Sequence, residues 1–486
     1  MPDSLIKNYI NGEWVASGSQ QTGDIWNPAT GAKIATVPYS NQNDVDMAVA
    51  AAREAYPEWR ATPPLTRARY LFRLKEAFEE QFEDIARTLT TEHGKAIDEA
   101  RGEVRRMIEN VEHATGVTTL MCGYTLEDIA KGIDCYGHRQ PMGVFAAIAP
   151  YNFPVMVPWW FLPYALVAGN TFVLKPSEQV PMTQTKVFDI IDEIGFPEGV
   201  VNMVHGSRDV VNALLDHSDI EGISFVGSTP TAKYIYKRCG ETGKRVQALG
   251  GAKNIVAIMP DADLKAAMPS LVTSFFGCTG QRCLSGSILV PVGDVADRLR
   301  DEFMAAAREM KVGDGLDEQT FMGPLISAAH RERVLGYIEK GIAEGAELVL
   351  DGRDYTDPER PGGFFVGPTV FDRVTPDMTI AREEIFGPVL AVLTCEDEAD
   401  AVRLANDTNY GLHASIWSDD LSQVMRMSRA VRAGTISVNC FSEGDFTTPF
   451  GGFKESGFFG RDKSLHACRQ YTELKTVWMA VRPERS

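Results

Sequence analysis

FAAIAP (145–150), TFVLKP (171–176), VVNMVHG (200–206), GISFVGS (222–228) and RVQALGG (245–251) are five short apolar runs, separated by segments of helical periodicity. Runs of this length, bounded by Pro, Gly or Ser, predict buried parallel strands joined by crossover helices, an α/β architecture. Each run ends on a residue that lets the backbone turn at once, so the strand C-termini open a crevice suited to a ligand. The first run lies in a stretch from Gln140 to Leu174 that holds no Asp, Glu, Lys or Arg and on length alone meets a bilayer-spanning rule. Pro150, Pro154, Pro158 and Pro163, with Asn152 and Asn170 among them, would break a continuous helix repeatedly. The stretch therefore reads as strand, tight turn, short buried helix and strand.

Outward from this centre, SILVPVG (287–293), LVLDG (348–352), FFVGPTV (364–370) and VLAVLTC (389–395) predict further strands. They alternate with helical segments at 294–310, 328–343 and 399–406, which makes a second α/β unit. Segments 124–139 and 471–481 have strand character and suit either a shared oligomerisation sheet or exposed hairpins. A chain of 486 residues exceeds one hydrophobic core, so two or three domains are expected. Its 44% hydrophobic and 23% charged content is that of an ordinary soluble enzyme. A net charge of −18, with no cluster of Lys and Arg, excludes a broad nucleic-acid surface and weighs against acidic membranes. Small anionic substrates can still bind through local arginines. The eight cysteines, Cys122, Cys135, Cys239, Cys278, Cys283, Cys395, Cys440 and Cys468, form no zinc-ligand spacing and read as free thiols in a reducing compartment. The opening MPDSLIKNYINGEW has no basic region followed by an apolar core, and a cytoplasmic location is expected.

Four motifs can carry chemistry. FFGCTGQRCLSGS (275–287) sets Cys283 in a glycine-flanked turn between a helical run and a strand. A free thiol is only roughly a few per cent ionised at neutral pH unless a nearby charge helps, and Arg282 adjoins it. Such a Cys is either a nucleophile or a small buried residue. In APYNFP (149–154), Asn152 follows a strand end, where its amide suits an oxyanion or simply fixes the turn. In LKPSE (174–178), Lys175 and Glu178 can grip ribose hydroxyls, or begin a helix with solvated charges. A carboxylate there repels a 2′-phosphate and favours NAD over NADP. Gly206, Gly227 and Ser228, at two more strand ends, would admit a pyrophosphate to the backbone, although no GxGxxG is present. In REEIFGPV (382–389), Glu384 and Phe386 lie two residues apart on one face of an extended chain, fit for a ribose and its ring or for a capped loop.

In this order and spacing, from YINGEW (9–14) through these motifs to PFGGFKESG (449–457) and YTELKTVW (471–478), the chain resembles the aldehyde dehydrogenase superfamily over nearly its whole length. The resemblance implies an α/β fold with a Rossmann-like NAD domain over residues 1–120 and 142–249 and a catalytic domain over 250–464. It also implies oligomerisation strands from 121–141 and 465–486 and a homodimer or homotetramer. Cys283 is then the nucleophile and Asn152 the oxyanion donor. Tyr151, Lys175, Glu178, Gly227, Ser228, Glu384 and Phe386 hold NAD.

One departure bears on the mechanism. Hydrolytic members of the superfamily carry a Glu in an ELGGK motif that activates water, whereas this chain reads RVQALGGAKN, with Leu249 in that place when Lys253 is aligned to the motif lysine. The pattern resembles the methylmalonate/malonate semialdehyde dehydrogenase branch, which lacks the Glu and passes its acyl group to coenzyme A. That resemblance implies a small semialdehyde whose carboxylate is held by Arg106 and Arg282, since guanidinium forks match carboxylates. A solvated Arg106 and an Arg282 that tunes the thiol are the plainer readings. Segment 439–478 looks more like amino-aldehyde dehydrogenases, and Ala232 replaces a glycine common after GSTxx. The alternatives are a hydrolytic enzyme that recruits water through Glu384 or Glu443, and a noncatalytic NAD-binding protein on the same fold.

Overall fold

A computed structural model describes residues 5–441 and 448–480, the side chain of Leu465 excepted. Glu443 lies outside the described residues. The largest sheet is built on five parallel strands in the order Val201–Met203, Thr171–Lys175, Val144–Ile148, Ile220–Val226 and Arg245–Leu249. Side chains alternate strictly between its faces. Phe145, Ala147, Phe172 and Leu174 enter one apolar cluster, while Val144, Ala146, Ile148 and Val173 enter another on the opposite face. Burial on both faces is why these strands read as continuous apolar runs. Asn8–Ile10 and Glu13–Val15 extend the sheet at one edge, antiparallel. Gly457–Phe458 closes the other edge against Ala248 and Leu249, so a segment from the 250–464 span joins the first sheet.

The uncharged stretch folds as strand Val144–Ile148, a 3-10 turn Pro158–Trp160, helix Leu162–Ala168 and strand Thr171–Lys175. The helix stops at Gly169, whose φ of +106° only glycine adopts readily. Asn170 then fixes the return: its Oδ1 accepts from the N–H groups of Met142 and Gly143, and its Nδ2 donates to the Ala165 and Tyr471 carbonyls. Among the described residues no helix is long and apolar enough to cross a membrane.

The second sheet runs Glu347–Leu350, Thr369–Asp372, Val389–Val392, Gly286–Pro291, Asn254–Ile258, His413–Trp417 and Thr435–Val438. Four of these strands match the apolar runs read above, while Asn254–Ile258, His413–Trp417 and Thr435–Val438 were not among them. In FFVGPTV the strand begins only at Thr369, because Gly367 and Pro368 interrupt the ladder. A third, antiparallel sheet joins Thr472–Ala480 to Ile133–Pro141 and that strand to Tyr124–Ala130.

Asn254 ties the second sheet to the chemistry. Its Nδ2 donates to the Cys283 and Ser285 carbonyls at 2.8 Å each, and its Oδ1 accepts from the His413 N–H at 3.1 Å. Replacing a fully bonded, buried amide by an apolar side chain orphans three backbone groups. Asn254→Leu is therefore expected to lower stability by about 3 kcal/mol, read as a lower denaturant midpoint. An unchanged midpoint would contradict the role.

Candidate active site

The chain leaves strand Val144–Ile148 toward one side of the first sheet and strand Ile220–Val226 toward the other, and a crevice opens between their C-terminal ends. Asn152 follows the first of these strands, Gly227 and Ser228 follow the second, and Lys175 ends the neighbouring one. Lys175 Nζ donates to Glu178 Oε2 (2.9 Å) and to the Pro176 carbonyl (2.8 Å). Burial pushes the Glu178 carboxyl up, but the charge and hydrogen bond of Lys175 outweigh it and hold the group below its ordinary range. A carboxylate fixed in this way at a strand end keeps lone pairs for ligand hydroxyls. Ser228 stands at the N-cap position of helix Thr229–Thr242, and its hydroxyl shares a hydrogen bond with Thr231 rather than bonding the helix backbone. Gly227 also serves packing, because a Cβ there would meet the Phe225 ring at 2.5 Å. Ala232 is buried in that helix against the sheet.

The turn that carries Cys283 is strained. Cys278, Thr279 and Gly280 have φ of +52°, +57° and +69°, a left-handed run that costs ~1–3 kcal/mol at each non-glycine residue. Tertiary bonds maintain it. The Cys278 N–H donates to Glu99 Oε1 (2.6 Å), and Thr279 Oγ1 donates to the Gly323 carbonyl (2.8 Å). Gly280 packs backbone to backbone on the Glu384–Phe386 loop, since a Cβ would lie 2.2 Å from the Gly387 carbonyl oxygen. Asn152 reaches across to the same turn, donating Nδ2 to the Gln281 carbonyl at 2.9 Å. An amide nitrogen has two donors, so one remains for a ligand oxygen near Cys283.

Glu384 closes the other side. Its Oε1 accepts from the Ala252 N–H (2.9 Å), and its carboxylate covers Gly251 so closely that a Cβ there would meet Oε2 at 2.3 Å. Phe386 adopts φ +61° and packs edge-on against Tyr151, with ring centroids 6.0 Å apart. The loop is gripped by helix Ala328–Ala343: His330 Nε2 lies 2.7 Å from the Phe386 carbonyl, and Arg333 donates to the Glu384 and Ile385 carbonyls. Among the described residues the buried Tyr151 hydroxyl has no hydrogen-bond partner. Lys253, Cys283, Glu384 and Phe386 line one small cavity.

A larger cavity of about 820 Å³ lies on the other side of Cys283 and brings Arg106 and Arg282 to the same walls. Arg282 Nη2 donates to Glu99 Oε1 (2.5 Å), its guanidinium folding over Gly277, and Arg106 donates to Glu109 (3.1 Å). Leu249 is buried in the apolar cluster against which Cys283 packs, so this position itself supplies no carboxylate. Sequence reasoning missed three lining residues. Glu99 and Glu103 share a helix face with Arg106 and Asn110, a polar stripe at helical spacing that the sequence does display. Lys463 lies over the Trp160 and Phe450 rings, 5.3 and 5.5 Å from their centroids, and no local pattern marked it.

The model of the aldehyde dehydrogenase family matches residues 14–477 of the chain. Malonate-semialdehyde dehydrogenase 1 of Geobacillus thermodenitrificans (strain NG80-2) is 48% identical over 464 residues, 95% of each chain. The crystal structure of methylmalonate-semialdehyde dehydrogenase from Oceanimonas doudoroffii superposes with a TM-score of 0.97 at 41% identity, covering 99% of both chains. A Sinorhizobium meliloti 1021 protein solved complexed with NAD also superposes with a TM-score of 0.97, at 37% identity over 99% of both chains.

Burial, with the Glu384 charge second, pushes the Cys283 thiol up to about 12, against the help of its own N–H, that of Leu284 and the Lys463 charge. Only the thiolate alkylates. Labelling of the Cys283 peptide by iodoacetamide in the cofactor-free protein should therefore climb about tenfold per pH unit from 7 to 10 without levelling. A plateau near pH 8, read by peptide mass spectrometry, would contradict a thiol in which burial and the Glu384 charge outweigh that help.

Proposed function

The chain belongs to the aldehyde dehydrogenase family, and we propose that it oxidises a small carboxylate-bearing semialdehyde with NAD through a thioester on Cys283, then passes the acyl group to coenzyme A. One observation carries the reading: the apolar Leu249 is buried in the cluster against which Cys283 packs, while Arg106 and Arg282 line the larger cavity with the nucleophile. The names of the relatives, malonate- and methylmalonate-semialdehyde dehydrogenase, supply the substrate class.

In this scheme the Cys283 thiol releases its proton to solvent, the thiolate adds to the aldehyde carbon, and the electron pair of the C=O bond moves onto oxygen as negative charge. The free N–H of Asn152 and the backbone N–H of Cys283 stabilise that oxyanion; losing one such donor typically costs ~10²–10³ in rate. Bound NAD supplies the hydride acceptor. Lys175, Glu178, Gly227 and Ser228 hold one end of the dinucleotide along the strand termini. Tyr151, Glu384 and Phe386 hold the other beside Cys283. Arg282, with Arg106, meets the substrate carboxylate and aims the aldehyde carbon at sulfur; Arg282 exchanges its bond to Glu99 for that contact. A 3-oxo acid substrate would lose carbon dioxide before transfer.

Release from the thioester favours a thiol over water. Deprotonation of water by a general base contributes ~10²–10⁴ in rate, and a leucine side chain accepts no proton. The coenzyme A thiol adds to the acyl carbon, the bond to Cys283 breaks, and the Cys283 sulfur recovers a proton. A second reading rests on Glu384, which burial raises above its ordinary range and which lines the small cavity with Cys283. That carboxylate could take a proton from water and give the free acid.

The reading extends to assembly. The first sheet forms the NAD unit, the second the catalytic unit, and the third the contact between copies in a homodimer or homotetramer. The strand Thr472–Ala480 supports this, exposing Leu474, Val477, Trp478 and Met479 in succession.

Short semialdehydes assayed with and without coenzyme A test the proposal. Turnover should require coenzyme A and yield an acyl-coenzyme A product by mass spectrometry. Free acid at full rate without it would favour the Glu384 route. The carboxylate-bearing aldehyde should outrun its neutral analogue by roughly tenfold or more, with the preference lost in Arg282→Leu, in line with the 1.5–3 kcal/mol of a charged hydrogen bond. Equal rates for the two aldehydes in the parent enzyme would remove the arginine assignment.

A further inference from the structure

Helix Ile97–Ala114 and the residue two places before it carry charged side chains that the proposed chemistry leaves unused and that bond to backbone on both sides of the nucleophile. Lys95 and Glu103 form an ion pair at 2.6 Å with both side chains at 0% exposure. Isolated charges are costly to bury, and a pair survives there only if its remaining donors and acceptors are also met. Here they are met by one short piece of chain. Lys95 Nζ donates to the Asn152 carbonyl (2.7 Å) and sits 4.4 Å from the Phe153 ring centroid. Glu103 Oε1 accepts from the N–H groups of Val155 (2.9 Å) and Met156 (3.1 Å).

The pair thus clamps the turn 152–156 at both ends, the ammonium on its first carbonyl and the carboxylate on its last two amides. Pro154 interrupts regular backbone bonding inside that turn, so the clamp takes its place. On the same helix face Glu99 holds the Cys278 N–H and the Arg282 guanidinium, on the opposite wall of the site. A single rigid helix therefore sets the spacing between the Asn152 amide and the Cys283 turn.

We propose that Lys95 and Glu103 are positioning residues for Asn152: their buried pair fixes the backbone from which the Asn152 amide reaches the oxygen of the substrate. The inference rests on the acyl-transfer reading above. Misplacing a reacting group by about 1 Å costs ~10²-fold, so losing the clamp should slow the step that builds the oxyanion and spare steps that do not.

Full-length Lys95→Met, Glu103→Gln, Asn152→Ala and the double variant Lys95→Met/Asn152→Ala test it by single-turnover NADH formation beside iodoacetamide labelling of Cys283. Lys95→Met should slow NADH formation by roughly 10–10²-fold. Labelling, which creates no oxyanion, should stay within about twofold of the parent. The double variant should be no slower than Asn152→Ala, because Lys95 acts through that residue. Losses that multiply in the double variant, or labelling that falls in parallel with NADH formation, would overturn the proposal. Should Lys95→Met fail to fold, Glu103→Gln, which keeps the shape of the clamp, must show the same split between the two assays, and its failure to do so overturns the proposal equally. Full NADH formation in Asn152→Ala would instead remove the oxyanion assignment itself, and the clamp's role with it.

Discussion

A left-handed run of three residues, Cys278 to Gly280, is the constraint to which the site is referred. It turns a helix end into the strand Gly286–Pro291 within a few residues and leaves Cys283 between two cavities. Such backbone does not hold itself. Glu99 on helix Ile97–Ala114 accepts from the Cys278 N–H, the Gly323 carbonyl accepts from Thr279, Gly387 touches Gly280 directly, and Asn152 bonds the next residue, Gln281. Glu99 also lines the larger cavity and Gly387 the smaller one, so contacts that oppose the strain help to assemble the pocket as well.

Much of the fold was legible because both faces of the parallel strands are buried, which writes apolar runs directly into the chain. The strands that escaped notice carry buried polar residues satisfied only in three dimensions. His413 Nε2 meets Ser437 Oγ at 2.9 Å between strands His413–Trp417 and Thr435–Val438, and Asn254 opens its strand with three bonds to distant backbone. The strained backbone of FGCTG was equally invisible, since only tertiary bonds make a left-handed Cys and Thr tolerable.

The same distinction runs through the site. Cys283, Asn152, Glu384 and Phe386 lie in short motifs whose residue types point to chemistry, and folding brings them around one turn. Lys175 and Glu178 lie at the C-terminal end of one strand and Ser228 at that of another, with strand Val144–Ile148 between them, as their place after apolar runs implies. Glu99 and Glu103 sit in a helix so rich in charge that solvation is the natural reading, and only the spacing shared with Arg106 and Asn110 hints at a common face. Lys463 has no such spacing. Its position over Trp160 and Phe450 depends on chain segments hundreds of residues apart.

What distinguishes this site chemically is an apolar side chain, Leu249, at the end of strand Arg245–Leu249, in the cluster against which the partly buried Cys283 packs. In the proposed scheme acylation and release are separate demands: the first draws on Asn152 and a backbone N–H, and the second on a nucleophile that requires no base. Peptide mass spectrometry of the enzyme quenched during turnover with NAD and semialdehyde, before coenzyme A is added, bears on this most directly. The account predicts an acyl group on the Cys283 peptide that disappears when coenzyme A is supplied. An unmodified Cys283 peptide under conditions where NADH has formed would contradict it.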